Sequence, residues 1–548
     1  MAVNPSIQLG TSGNWAIKED NLLAYKQLGN KFFDREFDFS RGTRATFVGR
    51  NGLIQESGLT SAELVTNGDF ATDLSGWAIG GTDATNTITW ETNGVRFIST
   101  TNLISIQQSN ILTIGKSYKL TCDVAITTGS IGLDGATSGS SIVMVEGFNE
   151  IYFTAISNYV KIKRITANSN CLLDNVSVQE IQLDVPRIDF TDDPTGHLLL
   201  EPQSTNILAY SQDFSQNYWG KQSATVTTST ITDPTGDQNS FKLVPNSGTG
   251  GNRSIGKNFT GLSGLHTQSV FAKKGEYNYI ALRTRNGPSA SVMFDLENGT
   301  FNVNSTSVAF VSAKIEDYGS GWYKCSMTLD PSQMSTAGKI YTSFSVGITG
   351  NETNSFDGDG TSGVYIFGAQ FEQKSYPTSY IPTSGSAVTR NQETCNNSGT
   401  VNDFNSEEGV LYAEYKIGGD STDSYQLISL RDSTDTDSDV IGIGKHVSSN
   451  DIFIRLSIGS VNVFNNLSAT PIDGYNKVAI SYKSGNSSAW VNGTKVYSSS
   501  STFTPSLTLS KLSFQWNDPN TFNFFGKTKN LKVFKRALTD AELQELTT

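Results

Sequence analysis

Short alternations of apolar and polar residues recur along almost the whole chain. Examples are YKLTCDV at residues 118–124, YVKIKRI at 159–165, YIALRTR at 279–285 and WYKCSMTL at 322–329. An alternation with a period of two places one face of a strand against a core and the other toward water. Turn residues separate these segments at short intervals. The pattern predicts an all-β protein of tandem β-sandwich or jelly-roll domains.

Two segments depart from this pattern and are expected to be helical. Residues 18–33 (KEDNLLAYKQLGNKFF) carry apolar side chains at a roughly helical period. A helix there suits either ordinary packing or an attachment segment. Near the C-terminus, Thr539 and Glu542 have the spacing of a capping box, which predicts a short helix over about residues 540–546. Between two strand patterns, Asn492 and Gly493 predict a tight hairpin turn.

A weak internal repeat divides the middle of the chain. NGLIQESGLTSAELVTNGDFATDLSGW (51–77) and TGHLLLEPQSTNILAYSQDFSQNYW (195–219) each lead from an apolar strand to an Asp-Phe pair and a tryptophan. The closing strands also match, as CLLDNVSVQE (171–180) and VYIFGAQFEQ (364–373). Matching ends indicate two duplicated sandwiches. We expect four parts: a short N-terminal attachment segment (1–60), a first sandwich (61–182), a second sandwich (183–388) and a jelly roll (389–548).

Composition narrows the classes of partner. The net charge is −12 with no basic run, which argues against a nucleic-acid partner. No stretch of about 18 apolar residues occurs, so membrane insertion is not expected. The first residues, MAVNPSIQLG, lack the pattern of a secretory signal. A surface-type protein without such a signal suits release by cell lysis, as virion parts are released, or another export route.

The four cysteines, Cys122, Cys171, Cys325 and Cys395, are too widely spaced for a zinc site. Cys122 and Cys171 fall in one expected sandwich and could form a disulfide. The alternative is that they are buried free thiols in strands.

The C-terminal residues resemble a known fold family. KVAISYKSGNSSAWVNGTKVYS followed by FFGKTKNLKVFKRALTDAELQEL resembles laminin-G-like and concanavalin-type jelly rolls. That resemblance covers roughly 140 residues and implies a lectin-like fold without specifying a ligand.

The middle of the chain resembles modules of bacteriophage tail-fibre and virion surface proteins. The matching segments are HLLLEPQSTNILAYSQDFSQNYW, DYGSGWYKCSMTL, FDGDGTSGVYIFGAQFEQ and YPTSYIPTSGSAVTRN, and FDFSRGTRATFVGRNGLI is similar to the leader segments of phage fibres. The resemblance implies a virion location, contact with other virion proteins through the N-terminus, host surface polysaccharide as ligand, and a homo-oligomer, most simply a trimer.

The first sandwich, from ELVTNGDFATDLSGW to LLDNVSVQE, resembles family 4/9 carbohydrate-binding modules. In such modules the opening and closing strands often flank a structural calcium, and Asp69 and Asp174 hold those positions here. Calcium needs six to eight oxygens, so backbone carbonyls and water would have to add to the two carboxylates. The alternative is that both are edge or turn residues. The second sandwich has Gly368 and Ala369 at the matching positions, so no calcium is expected there.

Sugar binding usually places an aromatic face against a pyranose ring. The glycan-binding candidates are Trp90, Trp516, Trp77 and Trp219. Each could instead be a core residue, because tryptophan on a sandwich strand usually buries its ring. Trp90 and Trp516 have polar neighbours in the sequence, so these two are expected to be the exposed ones.

Other polar features favour binding over catalysis. The acidic run RDSTDTDSD (431–439) lacks the glycine and terminal glutamate of an EF-hand, and a solvated hairpin tip is expected. His197, His266 and His446 are isolated, and no HExxH, GxSxG or phosphate-binding loop occurs. The last domain has no strand with two carboxylates at glycosidic spacing.

The sequence therefore favours a non-catalytic phage fibre protein, of tail or head, that binds host surface glycans. A purely structural capsid or tail decoration protein is one alternative. A secreted adhesin or glycan-degrading enzyme is another.

Overall fold

The computed structural model describes most of the chain, and almost all of it is β-structure. The described residues are 7–9, 16–18, 21–28, 31–58, 62–92, 94–137, 140–248, 253–285, 290–305, 309–333, 340–347, 356–418, 425–434, 438–446, 451–516 and 522–548. The chain forms two compact units. Unit 1 combines Met1–Ser57 with Asp184–Thr548, and unit 2 is Gly58–Leu183.

Unit 2 is a sandwich of two antiparallel five-stranded sheets. In spatial order the first sheet contains Gly147–Thr154, Ser117–Thr128, Ser169–Ile181, Gly94–Ser99 and Thr87–Glu91. The second contains Ser140–Val143, Ile131–Thr137, Tyr159–Arg164, Ser105–Ser109 and Ala78–Gly80. Burial alternates along Ser117–Val124 as its sequence predicts, and the inward residues form one core.

Unit 1 contains a second sandwich of two six-stranded sheets. One sheet contains Gly220–Gln222, Ser254–Phe259, Ile340–Gly347, Tyr279–Arg285, Ser291–Asp295 and Thr300–Ser305. The other contains Ala224–Thr228, Phe241–Pro245, Val364–Glu372, His266–Lys273, Trp322–Leu329 and Phe310–Asp317. A 3-10 turn, Pro331–Gln333, comes after Trp322–Leu329 in the chain.

Unit 1 also contains the C-terminal jelly roll. Its five-stranded sheet contains Val461–Ala469, Ile452–Ile458, Val440–His446, Tyr425–Asp432 and Leu509–Ser513. The facing sheet runs Ala16–Lys18, Asn21–Leu28, Ile7–Leu9, Gly526–Phe534, Glu408–Ile417, Asn476–Lys483, Ser487–Val491 and Thr494–Ser499. Lys31–Glu36, His197–Leu200 and Arg187–Asp189 extend it sideways. The all-β, tandem-sandwich fold class is thus confirmed.

Unit 1 contains three two-stranded pairs, of which the first and third join distant segments and the second is a local hairpin. They are Asp38–Ser40 with Thr394–Asn396, Thr46–Val48 with Ile54–Glu56, and Ser204–Asn206 with Val388–Arg390. Phe37 and Phe39 lie in the same core as the jelly-roll strands. The N-terminal residues are therefore built into unit 1, and their role in attachment stays a prediction.

The helix expected near residues 18–33 is wrong. Asn21–Leu28 is a strand that pairs with Ile7–Leu9 on one side and Lys31–Glu36 on the other. Helical spacing over a few residues is a weak signal, and pairing on both edges of a strand overrides it.

Two local predictions at the C-terminus are confirmed. The helix Asp540–Thr547 begins with the capping box: the Glu542 amide donates to Thr539 Oγ1 at 3.3 Å, and the Thr539 amide donates to Glu542 Oε2 at 2.8 Å. The predicted hairpin turn has positive φ at Asn492 (47°) and Gly493 (77°), which a tight hairpin requires. In the described residues no helix is long and apolar enough to cross a membrane.

Unit 2 is an insertion whose ends are held close together. Within unit 2, the Gln182 amide donates to the Gly58 carbonyl at 2.7 Å. Within unit 1, Arg41 binds both flanking residues: its amide donates to Asp184 Oδ1 at 2.6 Å and its Nη2 to Ser57 Oγ at 2.7 Å. The chain therefore leaves and re-enters unit 1 at one place.

All four cysteines are buried free thiols.

Candidate binding cavity in unit 1

A network of buried charges lies at the centre of unit 1. The Arg187 guanidinium donates to both oxygens of Glu393, from Nε at 2.8 Å and from Nη2 at 2.5 Å, and Nη2 also donates to Glu201 Oε2 at 2.9 Å. Arg41 Nη1 donates to Glu393 Oε1 at 2.9 Å, and Arg390 Nη1 lies 2.9 Å from Glu201 Oε2. We call these five side chains the arginine–glutamate network. All five are buried.

Pairing is what allows these charges to be buried. An isolated ion loses several kcal/mol of hydration in a protein interior, and close charged hydrogen bonds offset that loss. Burial by itself would raise the pKa of Glu201, but Arg390 and Arg187 lower it to about 2. The pKa of Glu393 is also below its ordinary value, because Arg187 and Arg41 outweigh the effect of burial. Both carboxylates are therefore charged at neutral pH.

A cavity of about 440 Å³ lies beside this network, between the second sandwich and the jelly roll. Five lysines line it: Lys314, Lys324, Lys416, Lys445 and Lys527. Four carboxylates also line it: Asp189, Asp192, Glu201 and Glu316. Hydroxyl groups come from Thr191, Tyr318, Ser375, Tyr376, Thr378 and Ser379. The volume falls in the range of about 300–1,000 Å³ that small-molecule sites occupy.

Three of the four carboxylates are ion-paired. Asp192 lies 2.8 Å from Lys527 and 3.5 Å from Lys416, and Glu316 lies 2.5 Å from Lys314. Glu201 belongs to the arginine–glutamate network.

The fourth carboxylate is held by the backbone. Asp189 accepts from the amides of Val48 at 2.8 Å and Thr191 at 3.0 Å, and lies 3.3 Å from His197 Nε2. Burial opposes ionisation of Asp189, but His197 and Lys527 keep its pKa below the ordinary value.

Lys324 has a different environment. It is buried, and its ammonium donates to the Thr378 carbonyl at 2.5 Å. Among the described residues no carboxylate lies within 4.0 Å of that ammonium. Burial lowers the pKa of Lys324, and Glu316 and Glu372 partly counter that effect.

None of the four tryptophan candidates lines this cavity. Trp77 and Trp219 are 6% and 2% exposed and belong to the sandwich cores. Trp90 is 40% exposed as expected, with its indole N–H donating to the Phe70 carbonyl at 2.6 Å.

The expected exposure of Trp516 is wrong. Trp516 is 6% exposed, because its ring packs against Tyr425 and Phe453 and lies under the Arg455 guanidinium, 4.4 Å from the ring centroid.

The calcium candidates lie on neighbouring segments of unit 2. The Val176 amide donates to the Gly68 carbonyl at 2.8 Å, so the opening and closing strands adjoin there. Asp69 is exposed, and Asp174 Oδ1 accepts from the Asn175 amide at 2.8 Å. Over the part of the chain that the structure describes, no three His, Cys, Asp or Glu side chains form a metal-binding group. A calcium here would need mostly backbone oxygens and water, and it stays a prediction.

The acidic run at 431–439 is held at both ends, while the solvated tip expected at its centre falls on residues 435–437. Asp432 and Asp439 are buried at its two ends. Asp439 accepts from the Gly459 amide at 2.9 Å and from Ser506 Oγ at 2.5 Å, so it fastens neighbouring loops. Residues 435–437 lie outside the described residues.

The sequence did contain signals for the network. Arg187 interrupts the apolar run VPRIDF and Glu201 interrupts HLLLEP, and a charge inside a buried strand needs a partner. Arg41, Ser379 and Arg390 belong to segments that resemble phage fibres, FDFSRGT and YPTSYIPTSGSAVTRN. These segments converge on one network.

Comparisons with known proteins add distant likenesses only. No family model matches the chain, and no curated protein matches it. Among solved structures, the CBM40 of a Ruminococcus gnavus IT-sialidase is 17% identical to this chain, with a TM-score of 0.24. The match covers 28% of this chain and 94% of the CBM40 chain. Domain 4 of the Geobacillus stearothermophilus arabinanase AbnA, in complex with arabinotriose, is 12% identical (32% and 81% covered, TM-score 0.23). Trypanosoma rangeli sialidase in complex with sialic acid is 8% identical (100% and 98% covered, TM-score 0.23). Likenesses at these TM-scores carry no argument about function.

Proposed function

We propose that this chain is a non-catalytic glycan-binding protein of the bacteriophage particle, a tail or head fibre, whose cavity in unit 1 holds a saccharide of the host surface. The observation that carries the proposal is the lining of the cavity. Each sugar hydroxyl both donates and accepts a hydrogen bond, and ion-paired carboxylates and lysines offer fixed acceptors and donors side by side. Tyr318 and Tyr376 add aromatic surface.

The ionisation of the cavity supports binding over hydrolysis. A glycosidase needs one carboxylic acid whose pKa is raised so that it can protonate the leaving group. Here hydrogen bonds and neighbouring charged groups outweigh burial and lower the pKa values of Asp189, Asp192 and Glu201. These three groups act as acceptors at neutral pH.

The virion location is supported by the segments that resemble phage fibres. In this proposal the N-terminal residues contact other virion proteins, and the chain assembles as a homo-oligomer, most simply a trimer. Mass spectrometry of purified particles should find the chain in stoichiometric amount. Its absence from the particles would overturn the virion proposal and leave a secreted adhesin.

Glycan binding is tested with the full chain on an array of bacterial surface polysaccharides. Tyr376→Ala should reduce binding at least about tenfold, because it removes a ring that lines the cavity. Tyr497→Ala, at an exposed tyrosine outside the cavity, should leave binding unchanged.

Three results would contradict this proposal. Binding to no polysaccharide would leave a purely structural decoration protein. Equal effects of the two tyrosine variants would place the binding site elsewhere. Release of reducing sugar from a bound polysaccharide would show a hydrolase.

A further inference from the structure

We infer that the cavity in unit 1 selects acidic saccharides, with Lys324 as the residue that binds the sugar carboxylate. The inference rests on the proposed glycan binding and names the class of ligand. It starts from the charge around the cavity, which differs from that of the chain as a whole.

The side chains around the cavity carry more positive than negative charges, although the protein as a whole is acidic. The whole chain has a net charge of −12. In contrast, the lysines that line the cavity, together with the three arginines of the arginine–glutamate network, outnumber the carboxylates of both groups. They still do when Glu372 is added, which accepts from the Thr378 amide at 2.9 Å. A cleft with low-dielectric walls concentrates such an excess and attracts anions.

Among the lysines that line the cavity, Lys324 is the one best placed to bind an anionic ligand. Lys527, Lys416 and Lys314 already face carboxylates in the cavity. Lys324 is more deeply buried and has a carbonyl as its partner, in place of a carboxylate. An ammonium has three donors, and a buried one that lacks an anionic partner carries much of its desolvation cost uncompensated.

A carboxylate ligand would recover that cost. A charge-assisted hydrogen bond is roughly twice as strong as a neutral one. Thr378, whose carbonyl holds the Lys324 ammonium, also lines the cavity. The ammonium is therefore fixed at the wall where a ligand would lie. The hydroxyl groups around it suit the remaining positions of a sugar ring.

The probe pair is α-1,4-linked trigalacturonate and its fully methyl-esterified form, which have the same chain length and differ in charge. Calorimetry with the full chain should show at least about tenfold tighter binding of the acid than of the ester. Lys324→Met keeps an unbranched side chain, one atom shorter than lysine, and removes the charge. It should weaken binding of the acid about ten- to a hundredfold and leave binding of the ester within about twofold.

A matched control is available in a neighbouring strand. Lys273 also donates to a backbone carbonyl, that of Ser320 at 2.7 Å, but it is outside the cavity lining. Lys273→Met should leave both affinities unchanged. Raising the salt concentration should weaken binding of the acid more than of the ester.

The two levels of the proposal fail in different ways. Equal binding of acid and ester, or a Lys324→Met variant that keeps the preference, overturns the acidic selectivity while glycan binding stands. Binding of neither probe, together with an empty polysaccharide array, overturns glycan binding itself. If Lys324→Met loses its thermal transition, Lys324→Gln, whose neutral amide can still donate to the Thr378 carbonyl, takes its place: a Lys324→Gln variant that keeps the preference for the acid overturns the inference.

Discussion

Glu393 accepts hydrogen bonds from two arginines, Arg41 and Arg187, which lie on either side of unit 2 in the sequence. Removing its charge leaves Arg41 and Arg187 buried beside an uncharged amide. Breaking a buried ion pair in this way costs about 3–5 kcal/mol. We expect Glu393→Gln to lower the free energy of unfolding by about that amount, measured by urea denaturation.

The control is Glu297→Gln, at a glutamate in an exposed ion pair with Lys274. Surface pairs of this kind contribute about 0–1 kcal/mol. A loss for Glu393→Gln as small as that of the control would contradict the role given to the network.

The lowered pKa of Glu201 predicts how the stability of the folded chain depends on pH. Its pKa is about 2 in the folded chain, against an ordinary value of 4.5. A depressed pKa means that the carboxylate contributes its full stability above about pH 4.5 and loses it as the pH falls toward 2. Thermal melts across this window should show a steeper decline for the native chain than for Glu201→Gln. Parallel curves for the two proteins would show that Glu201 is not the group that titrates.

At the residue scale, the exposure of a side chain is a property that the neighbouring sequence does not predict. Trp90 and Trp516 both have polar neighbours in the sequence, yet only Trp90 is exposed. The burial of Trp516 depends on Tyr425 and Phe453, which are distant in sequence and reach it through strand pairing. Local polarity does not record such contacts.

At the scale of elements, the C-terminal helix offers a clean test because one residue begins it. Thr539 supplies the cap. Thr539→Ala should destabilise unit 1 by about 0.5–2 kcal/mol, since the Glu542 amide loses its partner. Thr494→Ala, at an exposed residue of an edge strand, should change stability by less than about 0.5 kcal/mol. Chemical denaturation measures both, and equal effects would refute the capping argument.

The elements that were predicted correctly have short-range causes. The capping box spans four residues and the Asn492–Gly493 turn spans two, so the sequence contains all their determinants. Asn21–Leu28 was misassigned because its partners decide its conformation. One partner, Ile7–Leu9, itself pairs with Gly526–Phe534 at the far end of the chain.

At the scale of the whole molecule, the two units should unfold separately. Unit 2 has its own hydrophobic core, and Gly58 and Gln182 are hydrogen-bonded at its base. We expect a chain in which residues 59–182 are replaced by a short Gly-Ser linker to keep the thermal transition of unit 1. Differential scanning calorimetry of the full chain should show a second transition that the shortened chain lacks. Loss of both transitions on shortening would show that unit 1 needs the insertion to fold.

The sequence did not reveal that unit 2 is an insertion. Residues 61–182 were expected as a sandwich, and the compact unit is Gly58–Leu183. The folding of unit 1 depends on contacts such as Arg41 with Glu393, which are 352 residues apart. No periodicity or turn signal operates over that distance.

The way the chain enters and leaves unit 2 has a consequence for how such proteins diversify. Arg41 holds both Ser57 and Asp184, the residues that flank unit 2. One continuous stretch of coding sequence therefore specifies the whole of unit 2. Recombination that swaps this stretch for another sandwich with adjacent ends would leave the sequence of every strand in unit 1 unaltered. We expect genomes to contain versions of this chain in which the same frame holds an unrelated domain, or none.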